Sequence, residues 1–257
     1  LAARLEVNQL TKIYEGRVAR KALDHLHFTV EEGEFVGVMG PSGSGKTTLL
    51  NVIATIDEPT AGIIRLNGKD PHSLNKEEMA LFRRRELGFV FQQFNLLDTL
   101  TVEENVALPL LLDSVNAKET NRRVQAVLQK LGIADCSQQF PYELSGGQMQ
   151  RTAIARAIIH RPSLLLADEP TGNLDSKSAG DVMALLRDMN EQDRSTLLMV
   201  THDAVAASYC SRVIFVRDGK FYNEIYRGDS RQRFFQSIID MMSLLGGDAR
   251  DLSGVRL

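Results

Sequence analysis

Nine consecutive residues, Gly40-Pro41-Ser42-Gly43-Ser44-Gly45-Lys46-Thr47-Thr48, combine conformational freedom, a cation and hydroxyls in a spacing that suits a phosphate. The spacing is G-x-x-x-x-G-K-[ST], the phosphate-binding loop. Glycines let backbone N–H groups close around phosphate oxygens without interference from a Cβ. A helix starting at the end of the loop aims its unpaired N–H groups and positive dipole end at the same anion. Lys46 adds a mobile point charge for the outer phosphates, and Thr47 offers a hydroxyl to Mg²⁺. Four fixed positions would match by chance in roughly one chain in a hundred of this length. The flanking pattern lowers that further.

Other residues could act on the same anion. Leu164 to Ala167 is a continuous apolar run ending in Asp168-Glu169. Carboxylates at the end of a buried parallel strand lie on the ligand edge of an open α/β sheet. There Asp168 can hold Mg²⁺ through water, and Glu169 can orient and deprotonate an attacking water. Thr201-His202-Asp203 ends another apolar run, Thr196 to Val200. His202 is a candidate γ-phosphate contact, although taken alone it suits a neighbour of a helix cap. Leu144-Ser145-Gly146-Gly147-Gln148 opens a long helical pattern, with Ser145 as N-cap and two glycines where backbone must approach an anion. Gln92 sits at the end of the run Leu87 to Phe91. Tyr14 could stack on a base; from the residues alone, a core or edge tyrosine is the favoured reading.

The elements that must position these groups follow from periodicity. Strands are expected between residues 4 and 39, the last being Phe35 to Met39, followed by a helical run from Leu49 to Ile56. A short strand, Ile63 to Leu66, closes on Asn67-Gly68. Asn75 to Arg85 reads as a helix whose basic end, Arg83-Arg84-Arg85, suits the negative helix C-terminus and a solvated face. Thr101 to Glu104 and Asn116 to Glu119 each have capping-box spacing, so residues about 93 to 150 form an all-helical insert. Its first part is rich in leucine around Leu96, Leu97, Leu110, Leu111 and Leu112, which core packing or a docking face would explain. Pro162 stops the helix that Ser145 starts. Ser176 is expected to cap a helix reaching about Asn190. Asp218-Gly219 between two apolar runs signals a hairpin. Phe234, Ile238, Met242 and Leu245 put one apolar stripe on a tail helix, which packing onto the core explains best, and the final ten residues are expected to be loose.

Composition excludes several classes. The chain has 257 residues, a net charge of −3 and a pI near 6.0, so no overall field recruits nucleic acid. No apolar run approaches the roughly 18 residues of a membrane span. Cys136 and Cys210 have no metal-ligand spacing, and the opening Leu1-Ala2-Ala3-Arg4 lacks a secretory pattern. Reduced thiols in the cytosol are therefore expected.

Together these motifs resemble the ATP-binding subunits of ABC transporters over residues 4 to about 226, with 227–257 as a C-terminal helical extension. Gly40 to Thr48 is similar to the Walker A loop, Gln92 to the Q-loop, and Leu144 to Gln148 to the signature motif. Leu164 to Glu169 is similar to the Walker B strand with its catalytic glutamate, Gly172 to Asp175 to the D-loop, and His202 to the switch histidine. The resemblance reverses the reading of Tyr14, which then matches the aromatic that stacks on adenine. It implies an α/β P-loop NTPase cassette: a RecA-like core with an antiparallel β subdomain and a helical subdomain.

The resemblance also implies a mechanism. Glu169, His202, Lys46 and Gln92 would be catalytic, with Thr47, Gln92 and Asp168 around Mg²⁺. Two copies would sandwich two ATP molecules, with Ser145, Gly146, Gly147 and Gln148 of one chain facing the nucleotide on the loop of the other. The stretches Phe91 to Leu97 and Thr171 to Ser176 are similar to the macrolide- and lipoprotein-exporter group. Val205 to Cys210 and Arg231 to Phe235 are similar to its bacitracin-resistance type. That likeness implies a membrane permease, a sensor histidine kinase as a further partner, and a peripheral place on the cytoplasmic face of the membrane. The alternative is a soluble ATPase of the same family acting on nucleic acid or ribosomes. A single cassette, the lack of a heptad run and the acidic balance argue against it.

Overall fold

The computed structural model describes residues 3–16 and 18–246. The expectation for the final ten residues lies outside them. Two long strands, β1 (Ala3–Tyr14) and β2 (Arg20–Glu31), pair antiparallel, and β4 (Ala61–Leu66) adds to β1, giving the order β2-β1-β4. The second sheet holds β3 (Phe35–Met39), β5 (Leu87–Val90), β6 (Leu164–Asp168), β7 (Leu197–Val200), β8 (Arg212–Arg217) and β9 (Lys220–Tyr226). Its order is β5-β6-β7-β3-β8-β9, parallel except for the edge strand β9.

The parallel strands are apolar throughout because both of their faces are covered. Phe35, Met39, Leu165 and Ala167 enter one hydrophobic cluster; Val36, Val38, Leu164 and Leu166 enter another. The second cluster lies under the antiparallel sheet with α1 (Lys46–Ile53) and includes Phe82 of α2 (Lys76–Glu86). The first is closed by α3 (Val102–Leu112), α4 (Ala117–Lys130), α5 (Gly146–Ile158) and α6 (Ser176–Asp193). It continues into α7 (Ala204–Ala207) and α8 (Arg231–Gly246), whose Phe234, Ile238 and Leu245 are buried in it. The tail stripe packs on the core, as its period suggested.

Several local expectations are corrected. The first helix begins at Lys46, three residues before the expected start, because Gly45 at φ 99° turns the chain straight into it. Asp175, not Ser176, caps α6: its carboxylate accepts from the N–H groups of Lys177 and Ser178 at 3.0 Å. Thr101 and Glu104 form a full capping box, but Asn116 caps α4 without help from Glu119, which accepts instead from Arg122 and Arg123. The basic end of α2 is not a merely solvated face. Arg83 donates to the Thr55 carbonyl at 2.8 Å, Arg84 to the Leu112 carbonyl, and Arg85 pairs with Asp113 at 3.0 Å. The Arg84 and Arg85 contacts fasten the end of α3 to α2, and the Arg83 contact ties α2 to the turn after α1.

Candidate active site

Strands β5, β6, β7 and β3 run side by side in the same direction, so the loops after them share one edge. That edge carries Gln92, Asp168-Glu169, Thr201-His202 and the Gly40–Thr48 loop respectively. Parallel topology therefore gathers residues that are far apart in sequence.

Packing demands the loop glycines. A Cβ on Gly40 would sit 2.0 Å from the Val216 carbonyl oxygen, and one on Gly45 would sit 2.3 Å from that of Ala22. Lys46 Nζ donates to the carbonyls of Gly40 and Pro41 at 2.9 Å. Burial pulls the Lys46 pKa down, and the charges of Glu169 and Asp168 oppose that. Asp168 is pushed up, first by burial and then by Glu169 beside it.

Glu169 is gripped on both oxygens. Oε1 accepts from His202 N–H at 3.0 Å and from His202 Nδ1 at 2.7 Å; Oε2 accepts from Thr201 Oγ1 at 3.0 Å. A carboxylate only accepts, so Nδ1 carries the proton in this pair. Glu169 also has φ 46°, a left-handed backbone that costs roughly 1–2 kcal/mol for a residue with a side chain. The three hydrogen bonds hold it in that conformation.

A cavity of about 180 Å³ opens over the loop, lined by Gly43, Gly45, Lys46, Thr47 and Thr48 with Tyr14, Arg20 and Ala22. Tyr14 is exposed; its hydroxyl donates to Asp57 at 2.7 Å, and Lys12 stands 4.9 Å from its ring. Arg20 escaped sequence reasoning, though it pairs with Tyr14 across β1 and β2 and so reaches the same mouth. Thr201 was also missed as a grip on Glu169. A buried hydroxyl at a strand end next to His202 was the available signal.

Other groups lie apart from this cavity. The Gln92 side chain lies against Gly172, where a Cβ would meet Nε2 at 2.7 Å, and the Gln92 backbone carbonyl accepts from Asn173 Nδ2 at 2.9 Å. Ser145 is exposed at the start of α5 and forms a capping box with Gln148. Gly147 is buried against Ser178 of α6. Pro41, Ser42 and Ser44 complete the loop, and Ser44 is buried. Neither Ser145 nor Gly146, Gly147 or Gln148 lines the phosphate-loop cavity of its own chain.

A phosphate loop after the central strand, with paired carboxylates and a histidine on neighbouring strand ends, defines a P-loop ATP-binding cassette. Residues 23–172 match the model of the ABC transporter family, and the chain belongs to that family. It is 56% identical to the ABC transporter ATP-binding protein YxdL of Bacillus subtilis, over the full length of both chains. It is 49% identical to the bacitracin export ATP-binding protein BceA of Halalkalibacterium halodurans, over 96% of this chain and 98% of that one. Among solved structures, a dimeric cassette, MJ0796 of Methanocaldococcus jannaschii, matches with a TM-score of 0.81 and 40% identity, covering 88% of this chain and 100% of that one. A post-hydrolysis state of MJ0796 bound to ADP and Pi matches with a TM-score of 0.80 and 39% identity, over the same shares. This chain is thus an ATP-binding, ATP-hydrolysing subunit of an ABC transporter, built as an α/β P-loop cassette.

Proposed function

We propose that two copies of this chain close head to tail on two ATP molecules and pass that closure to a membrane permease. The observation that carries the reading is the one-sided cavity. The phosphate loop, Tyr14 and Arg20 line it, while the exposed helix start at Ser145, the chain's second anion-type motif, lies elsewhere. A second copy would bring its own Ser145 and Gly147 to the outer face of the triphosphate. The dimeric MJ0796 cassette supports this arrangement.

In the closed pair, Lys46 and the loop N–H groups would hold the phosphates, and Tyr14 would stack on the adenine. Glu169, held by Thr201 and His202, would take the proton of the attacking water. Catalysis of this kind is mostly positioning and charge stabilisation. Thr47, Gln92 and Asp168 present only oxygen to a metal, and among the described residues no group of three or more His, Cys, Asp or Glu forms a metal cage. That donor set fits Mg²⁺, whose other ligands would be phosphate oxygens and water. When bound, Mg²⁺ would neutralise charge on those phosphates.

Among the described residues, no helix is long and apolar enough to cross a membrane. Docking would use the apolar surface of the helical insert, where Leu97, Leu111 and Leu112 are exposed. A pair docked in this way would sit on the cytoplasmic face of the membrane, bound through its permease. Likeness to the bacitracin export ATP-binding protein BceA supports bacitracin, or a compound like it, as the substrate handled. A sensor histidine kinase as a further partner rests on the resemblance of Val205 to Cys210 and Arg231 to Phe235 alone.

Ser145→Arg tests the sandwich. ATP binding to the single chain should be unchanged, while ATP-induced pairing, read by light scattering, should be lost. Loss of both, or of neither, would refute the arrangement.

A further inference from the structure

We infer that the chain carries a second anion site on the opposite edge of the main sheet, shaped for a phosphate-bearing amphiphile. A cavity of about 650 Å³ lies between α4 and the turns that lead into β6 and β7. Ser163, Leu165 and Thr196 place it at the beginnings of those strands. Asp168 and Thr201 stand at their other ends, roughly 15 Å away.

Its wall is strongly basic. Arg4, Arg122, Arg123, Lys130, Arg161 and Arg194 line it, and Asp193 is the one carboxylate among the described lining residues. The neighbouring acids do not balance these six. Glu119 takes Arg122 and Arg123, Asp193 takes Lys130, and Glu32 takes Arg4. Among the described residues, neither Arg161 nor Arg194 has a carboxylate partner, and Arg4 Nε is buried with no hydrogen-bond partner. Like charges crowded this way repel, and a multivalent anion would relieve them.

Backbone conformation marks the same two arginines. Arg194 has φ 57° as the C-cap of α6, where glycine is the usual left-handed residue, and Arg161 has φ 59° three residues past the end of α5. A side chain there is strained. The strands they precede are neighbours, with Leu165 opposite Leu197, so the two turns stand side by side. Two adjacent turns thus spend stability to present arginine to one cavity.

The rest of the wall mixes polar Ser163, Ser195 and Thr196 with an apolar strip, Ala126, Val127, Ile158 and Pro162, over the buried Ile159, Leu165 and Met189. An inorganic anion would leave that surface wet, whereas an aliphatic body would cover it. The ligand is therefore a phosphate monoester with an alkyl or acyl body, from a lipid or from a soluble phosphate ester. With Arg122, Arg123 and Lys130 on α4 and Arg161 and Arg194 on the core, it would tie the helical insert to the core.

The test uses the full chain saturated with Mg·ADP, so that the nucleotide site is filled. Hexyl phosphate is titrated by calorimetry, with inorganic phosphate and hexanol as comparisons. Hexyl phosphate should bind about tenfold or more tightly than either. Arg161→Gly with Arg194→Gly should cost about tenfold or more in hexyl phosphate affinity and leave ADP affinity and ATPase rate unchanged, because glycine accepts the same backbone. Arg194→Asn, which also tolerates that backbone, repeats the test at one turn. Equal binding by the double variant, or no preference for hexyl phosphate over both comparisons, would overturn the site. Flotation with phosphatidylcholine vesicles, with and without phosphatidic acid, then separates the sources. Flotation only with phosphatidic acid supports a lipid; hexyl phosphate binding without flotation supports a soluble ester.

Discussion

Glu169→Gln isolates basicity from position. The glutamine oxygen can take over both His202 contacts, now at 3.0 and 2.7 Å. Its NH₂ group can donate to the Thr201 hydroxyl, which also accepts from Asp203 N–H at 3.0 Å. The side chain therefore stays where it is and loses only its proton affinity. A general base contributes about 10²- to 10⁴-fold, so the barrier should rise by roughly 3–5 kcal/mol. ATP affinity should hold or rise, since the change removes a negative charge near Lys46 without touching the loop carbonyls that hold it. Steady-state phosphate release measures the first effect and equilibrium ATP binding the second. Turnover within about tenfold of the parent would show that another group takes the proton. A parallel fall in ATP affinity would show that Glu169 serves the fold rather than the chemistry.

Thr201→Val removes one of the three bonds to Glu169 and leaves Asp203 N–H short of an acceptor. It should cost about 1–2 kcal/mol of stability and slow turnover more than it weakens ATP binding, as melting curves and a kcat-against-KM comparison will report. Gly40→Ala drives a Cβ towards the Val216 carbonyl, at 2.0 Å without movement. A loss of about 1–3 kcal/mol with a drop in nucleotide affinity is expected, and an unchanged melting temperature would contradict it. Glu119→Gln tests the α4 ion pairs. Hydrogen bonds from Arg122 and Arg123 hold the Glu119 pKa down at about 2, against an ordinary 4.5. Because the folded pKa is depressed, its stabilisation is present above 4.5 and fades as pH falls towards about 2. The melting-temperature gap between the variant and its parent should shrink over that window.

Short-range rules made much of this molecule legible. Gly40 to Thr48 announced the strand–loop–helix turn that is found, and the uninterrupted apolar runs before Asp168 and Thr201 announced strands covered on both faces. The Asp218-Gly219 hairpin follows from two residues that accept positive φ, 52° and 75°. What could not be read is relational. Arg20 reaches the mouth of the loop cavity only through strand register, and Arg83, Arg84 and Arg85 look solvated until the turn at Thr55 and the end of α3 come beside them. The capping role of Asp175 was misplaced by one position because Asp and Ser are comparable caps and stand side by side. Arg161 and Arg194 carried no periodic signal at all; their left-handed backbone is visible only in three dimensions.

The strand that launches the phosphate loop lies in the middle of the sheet, and its neighbours come late in the chain: Phe35 waits for Leu197, and Val36 for Arg212. A ribosome adding about 5–20 residues per second needs roughly ten to thirty seconds to cross the first of those gaps. Through that interval the growing polypeptide has its most recognisable motif but neither of the strands that will flank β3. The loop can therefore be held in place for a nucleotide only after Leu197 and Arg212 have been made, and until then β3 is an unpaired hydrophobic strand of the kind that chaperones exist to shield.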